Sequence, residues 1–139
     1  MKPIVKSFLY LFFVMMLFLA CSKKDDGGQV PKKPDNGSGF EQVGFWQKSD
    51  NRIYTIYTSD EDWTAMEDYA DKKPYKTGKT TSVLFFNNRK GTPDVTRYVG
   101  SMNDIIDRIY TGDDTKYWIA RYDRFPSGEA IFKRYPAAE

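Results

Sequence analysis

The side chains that could do chemistry in this sequence are carboxylates, lysines, tyrosines and serines, because its 139 residues include no histidine and one cysteine. Without histidine the chain has no Ser-His-Asp or Cys-His catalytic unit, no imidazole metal ligand and no ordinary proton shuttle near neutral pH. A single cysteine forms neither an internal disulfide nor a cysteine-rich zinc site. These counts exclude most common catalytic units, and we expect no metal site and no cofactor.

Paired carboxylates are the catalytic chemistry that remains, since two acids facing each other across a cleft can hydrolyse glycosides. The candidate acids outside the first predicted helix are Asp94, Asp104, Asp107, Asp113, Asp114, Asp123 and Glu129. Helix capping explains Asp104, a turn explains Asp113 and Asp114, and the last two border a hairpin tip. None stands in a recognisable motif. A small carboxylate-dependent hydrolase of glycans is therefore the second interpretation, and a non-catalytic binding domain is the first.

A predicted C-terminal hairpin carries the candidate binding residues. Residues 117–123 and 129–135 flank a turn in which Pro126 and Gly128 suit a type I turn with a bulge. Pairing Phe125 with Glu129 gives a core-like face of Trp118, Ala120, Tyr122, Ala130 and Phe132. The opposite face, which we expect to be wetter, carries Ile119, Arg121, Asp123, Ile131, Lys133 and Tyr135. A register slip of one residue would exchange the two faces.

Tyrosine and tryptophan are well suited to contact surfaces, because each combines a large apolar area with a polar group. We predict that Tyr117, Arg121, Lys133 and Tyr135 contact a partner. A protein partner is favoured over a glycan, because a glycan platform would need a row of exposed aromatic rings. Nucleic acid is not expected. Both excess positive charges of the chain lie in Lys2 and Lys6, and the residues from 21 onward are neutral overall.

The elements that must position these residues alternate between strands and helices. Aromatic and β-branched residues predict strands at 43–47, 52–58, 81–86 and 95–99 before the hairpin. Of these, 81–86 is nearly continuous in apolar residues and is expected at the centre of the sheet. Two helices are predicted from capping residues and helical spacing. The first begins at Ser59 and ends before Pro74, and the second begins at Ser101, has Asp104 at its third position and ends at Gly112.

From residue 52 this order is β-α-β-β-α-β-β, which predicts an α+β domain. We expect a small antiparallel sheet with both helices on one face, as in the ferredoxin-like split βαβ arrangement, extended by a C-terminal hairpin strand. A thioredoxin-like fold without its redox cysteines is the alternative.

The first twenty residues have the composition of a secretory signal. Lys2 and Lys6 precede an apolar run at residues 8–20, which would span roughly 20 Å as a helix, short of the roughly 30 Å hydrocarbon core of a membrane. A basic start, a short apolar run and a small residue before a break are typical of a signal peptide.

The break at Phe18-Leu19-Ala20-Cys21-Ser22 resembles the lipobox of bacterial lipoproteins. The resemblance implies cleavage before Cys21 and acylation, as with palmitate, at this residue; Phe18 and Leu19 depart from the commoner lipobox residues. Two or three acyl chains hold a protein stably on a membrane. Lys24, Asp25 and Asp26 are similar to the surface-export tag of Bacteroidota-type lipoproteins.

These features divide the chain into three parts. Residues 1–20 are predicted to be a signal peptide, 21–39 a lipidated cysteine with a flexible linker, and 40–139 one domain. The resemblance implies an outer-membrane lipoprotein that faces the cell surface, with a periplasmic orientation as the alternative. The hydrolase of the second interpretation would then act on envelope or extracellular glycans.

Overall fold

The computed structural model describes residues 39–135. Its strands and helices are β1 (Phe40–Lys48), β2 (Asn51–Thr58), α1 (Trp63–Asp71), β3 (Thr81–Phe86), α2 (Met102–Thr111), β4 (Trp118–Arg124) and β5 (Ala130–Arg134). Short 3₁₀ turns occupy Val95–Arg97 and Asp113–Tyr117. The predicted signal peptide, the predicted acylation site Cys21, the predicted export tag and the predicted linker up to residue 38 lie outside the described residues.

The five strands form one sheet in which they follow the order of the chain, β1-β2-β3-β4-β5. β2 and β3 are parallel and are joined through α1, and the other neighbouring pairs are antiparallel. The predicted α+β class is confirmed. The sheet is nevertheless mixed, and strands in chain order match neither the ferredoxin-like arrangement nor the thioredoxin-like alternative.

The two helices cover opposite faces of the sheet, which corrects the prediction of both on one face. On one face, called the α1 face, Met66 and Ala70 pack against Val83 and Phe85 of β3. On the other, the α2 face, three isoleucines of α2 pack against Leu84 and Phe86. Successive residues of a strand point to opposite faces, so β3 needs apolar side chains on both. All six of its residues are buried, and the predicted central position of this strand is confirmed.

The register predicted for the C-terminal hairpin is confirmed. Tyr122 lies opposite Phe132, and the Phe125 amide donates to the Glu129 carbonyl at 2.8 Å. Gly128 has φ 91°, which the tight turn requires and which L side chains rarely adopt.

A β-bulge at Ile119 corrects the predicted sheet faces of two hairpin residues, Trp118 and Ile119. Phe85 pairs with Ala120 and Phe86 with Trp118, so Ile119 is an extra residue in β4. The bulge turns Ile119 to the α1 face and Trp118 to the α2 face, the reverse of the prediction.

The first helix begins later than predicted. Asp62, and not Ser59, is its N-cap, and its carboxylate accepts a hydrogen bond from the Ala65 amide at 3.0 Å. The second helix agrees with the prediction, since Ser101 and Asp104 form a reciprocal capping box and Gly112 ends the helix.

The prediction of a strand at 95–99 is wrong, because Val95–Arg97 form a 3₁₀ turn. The Asp94 carboxylate accepts from the Thr96 amide and starts the turn, and Val95 is fully buried against the α2 face. The turn fits because Gly44 of β1 has no side chain. A Cβ at Gly44 would lie 2.6 Å from the Val95 amide nitrogen.

Candidate functional site

The α2 face of the hairpin holds a buried polar cluster, which we call the Asp123 cluster: Ser82, Arg121 and Asp123. The Ser82 hydroxyl donates to one carboxylate oxygen of Asp123 in a very short contact. The other carboxylate oxygen lies 2.7 Å from Arg121 Nε. Ser82 is brought there by β3, which pairs it with Asp123 of β4. Alternation along β4 places Arg121 on the same face.

This cluster lies mostly away from water. The Asp123 side chain is 8% exposed and that of Arg121 is 23% exposed. Arg121 Nε is buried and has no aligned hydrogen-bond partner within residues 39–135. Its contact with Asp123 is therefore an ion pair and not an aligned hydrogen bond. Asp123 therefore lies in the interior of the face that we predicted to be wetter.

Lys133 lies directly opposite Arg121 in the β4–β5 pair. Both side chains are cationic, and like charges opposite each other across two strands repel. Asp123 offsets this by binding Arg121. Within residues 39–135, Lys133 forms no ion pair of its own, and it is exposed.

Tyr135 completes this part of the surface at the end of β5. Its amide donates to the Ile119 carbonyl at 2.7 Å, and its ring centroid lies 5.1 Å from that of Trp118. Burial raises the pKa of the Tyr135 phenol, with a smaller opposing effect from the charge of Arg121. We call Arg121, Lys133 and Tyr135 the hairpin surface.

Tyr117, the fourth predicted binding residue, packs instead beside the loop after β3. A Cβ at Gly91 would lie 2.1 Å from the Tyr117 ring, so the ring occupies the space that this glycine leaves. Lys116 Nζ lies 5.0 Å from the centre of the same ring. The structure thus brings three of the four predicted binding residues together and directs Tyr117 against the loop.

The opposite face of the hairpin has a second polar group. The Tyr122 hydroxyl donates to Asp71 at 2.7 Å, and Arg124 forms a short ion pair with the same carboxylate. Burial, followed by the hydrogen bond to Asp71, raises the pKa of Tyr122 to about 12. These contacts join the end of α1 to β4 and have a structural role.

Several carboxylates considered for catalysis have contacts that account for them. Asp94 starts the 3₁₀ turn, Asp104 belongs to the capping box of α2, and Asp123 is held by Ser82 and Arg121. Between residues 39 and 135, no group of three or more Asp, Glu, Cys or His side chains is placed to hold a metal ion.

Sequence reasoning missed Ser82 as a member of the cluster. The signal was present in the strand itself, since a serine inside an otherwise apolar central strand needs a buried hydrogen-bond partner. It did not name that partner, because β3 and β4 are distant in sequence and no tight turn between them fixes their register.

Comparisons with known proteins add nothing to this geometry: no family model, curated protein or solved structure matches the chain. In the part of the chain that the structure describes, neither helix has the length and apolar character needed to span a bilayer.

Proposed function

We propose that this domain is a non-catalytic binding module that contacts a protein partner through the hairpin surface. The observation that carries the proposal is Lys133, an exposed cation that has no ion pair among residues 39–135, lies opposite Arg121 and shares the α2 face with Tyr135. An unpaired cation on the same sheet face as an aromatic ring offers both charge and apolar contact. A carboxylate-bearing protein surface complements it.

The Asp123 cluster supports this role by fixing the surface. The ion pair with Asp123 keeps the Arg121 side chain mostly buried, so the positive charge that reaches solvent is mainly that of Lys133. The strand fixes the backbone of Lys133 before binding, so that binding has to order its side chain but not its main chain. The geometry therefore favours recognition by a preformed surface.

Partner capture should depend on the sign of the charge at Lys133. We expect Lys133→Glu to weaken capture of the specific partner from detergent-solubilised envelope by about tenfold or more, because an attraction becomes a repulsion. Lys90→Glu, in the exposed loop after β3, is the matched control and should capture as wild type does. Quantitative mass spectrometry of the captured proteins measures the difference. Equal capture by wild type and both variants contradicts the proposal.

We further propose that the module is held on a membrane by lipid at Cys21. The support is the sequence alone: a basic start, a short apolar run and an Ala20-Cys21 junction that resembles a lipobox. By the same resemblance, Lys24, Asp25 and Asp26 direct the protein to the cell surface. The partner would then be an envelope or extracellular protein.

The lipid anchor predicts a sharp labelling result. A fatty-acid analogue should label the wild-type chain, and Cys21→Ala should abolish that label, because the chain has no other thiol. Ser22→Ala is the matched control beside the site. Equal labelling of wild type and Cys21→Ala contradicts the anchor. Protease treatment of intact cells then distinguishes the surface from the periplasmic orientation.

A further inference from the structure

We infer that the partner binds by adding an extended, acidic segment to the free edge of β5, as a sixth strand of the sheet. This inference rests on the proposed function and specifies how the partner is held. In this mode, main-chain hydrogen bonds supply affinity and alternate side chains supply specificity.

The main chain of β5 leaves every second residue unpaired. The Glu129 carbonyl accepts from the Phe125 amide just after β4, and the Tyr135 amide donates to the Ile119 carbonyl of β4, so Glu129 and Tyr135 face inward. Successive residues of a strand direct their main-chain groups to opposite sides in the plane of the sheet. It follows that Ile131 and Lys133 also face β4, whereas three residues face outward: Ala130, Phe132 and Arg134.

The two edges of the sheet differ in how they are covered. At the β1 edge, the Phe45 amide donates to the Thr96 hydroxyl at 3.4 Å, and the indole N–H of Trp46 donates to the Tyr98 carbonyl at 3.1 Å. The 3₁₀ turn thus lies against β1. At the β5 edge, no strand within residues 39–135 pairs with the outer side. The β1 edge likewise pairs with no further strand in this range, but the turn bonds to it, so β5 is the more open of the two edges.

The charges of β5 select the chemistry of that strand. Lys133 lies on the α2 face and Arg134 on the α1 face, and both are exposed. Arg134 lies over the ring of Trp63 at 5.2 Å and forms no ion pair within residues 39–135. Glu129, just before the strand, is the acid nearest in sequence. A segment with acidic side chains would pair with these cations, while half-buried Ile131 and Phe132 offer apolar contact.

Lysine on an edge strand also protects a protein against indiscriminate strand pairing. The same charge disfavours a second copy of this chain. Two antiparallel β5 strands centred on Phe132 would place their Lys133 residues diagonally across from each other, where like charges repel. An acidic strand meets no such repulsion, so the edge favours a partner of opposite charge over a second copy of this chain.

The test uses the full chain in detergent and a capped peptide of about eight residues that alternates valine and glutamate. We expect the peptide to slow amide hydrogen exchange at Ala130, Phe132 and Arg134, by about tenfold when its concentration is ten times its dissociation constant. Amides of Ile131 and Lys133 already bond to β4 and should change little. Exchange is read residue by residue by NMR.

Two matched peptides separate the main-chain from the charge contribution. A peptide of the same sequence that is N-methylated at every residue should lose binding, because it cannot donate to β5 from either of its edges. A valine–lysine peptide should bind wild type weakly and Lys133→Glu well. That variant should fold, since it places opposite charges across the β4–β5 pair.

Each outcome decides between the two proposals. No slowing at the three outward amides, or equal binding of the N-methylated peptide, overturns strand addition. Concentration-dependent slowing without any peptide would show self-pairing and also overturn it. If strand addition fails while partner capture still depends on Lys133, the hairpin surface binds through its side chains and the proposed function stands.

Discussion

Replacing Asp123 with alanine should destabilise the domain by about 2–4 kcal/mol, because it removes the one carboxylate that binds both Arg121 and Ser82. Arg121 would remain mostly buried without a counter-ion, directly opposite Lys133. Two cations would then face each other on one sheet face with nothing between them. Urea unfolding followed by circular dichroism measures the loss.

The matched variants separate the charge from the volume of the side chain. Asp123→Asn keeps the shape and should lose most of the same stability, since an amide does not neutralise Arg121. Ser82→Ala should cost only about 1 kcal/mol, because the carboxylate keeps its cation. Replacing Arg121 and Asp123 together by leucine should recover much of the loss. A near-neutral Asp123→Ala would show that the cluster contributes little.

The elements that sequence predicted correctly are those with strong local signals. The capping box at Ser101, the turn at Pro126 and Gly128, and the apolar run of β3 each specify their structure within a few residues. The hairpin register followed from the turn, because a tight turn fixes which residues face each other across the strands. These local rules do not depend on the rest of the fold.

The features that could not be predicted from the sequence depend on contacts between residues that are distant along the chain. The 95–99 segment has strand-forming residues, but Val95 is buried against α2 through the space left at Gly44. The bulge at Ile119 reverses two side chains without any local signal. The same limit applied to the candidate site. Its residues on one hairpin were predicted together, whereas Ser82 came from another strand.

The split of the two helices between opposite faces makes a second prediction of large effect. Phe85 packs edge-on to Phe40, Tyr69 and Phe132 on the α1 face, whereas Phe86 stacks on Trp118 on the α2 face. Both side chains are fully buried. Phe85→Ala and Phe86→Ala should each cost about 3–5 kcal/mol in the free energy of unfolding, measured in urea. That is much of the stability of a domain of this size.

The milder variants Phe85→Leu and Phe86→Leu keep the domain folded and show which helix each ring supports. Loss of a ring shifts the NMR signals of methyl groups packed near it. Phe85→Leu should shift the Met66 methyl and leave Ile105 and Ile109 nearly unchanged, because Met66 lies on the α1 face and the isoleucines on the α2 face. Phe86→Leu should give the reverse pattern. If both variants shifted the same methyl groups, the helices would share one face, and the two-sided arrangement that buries both sides of β3 would be wrong.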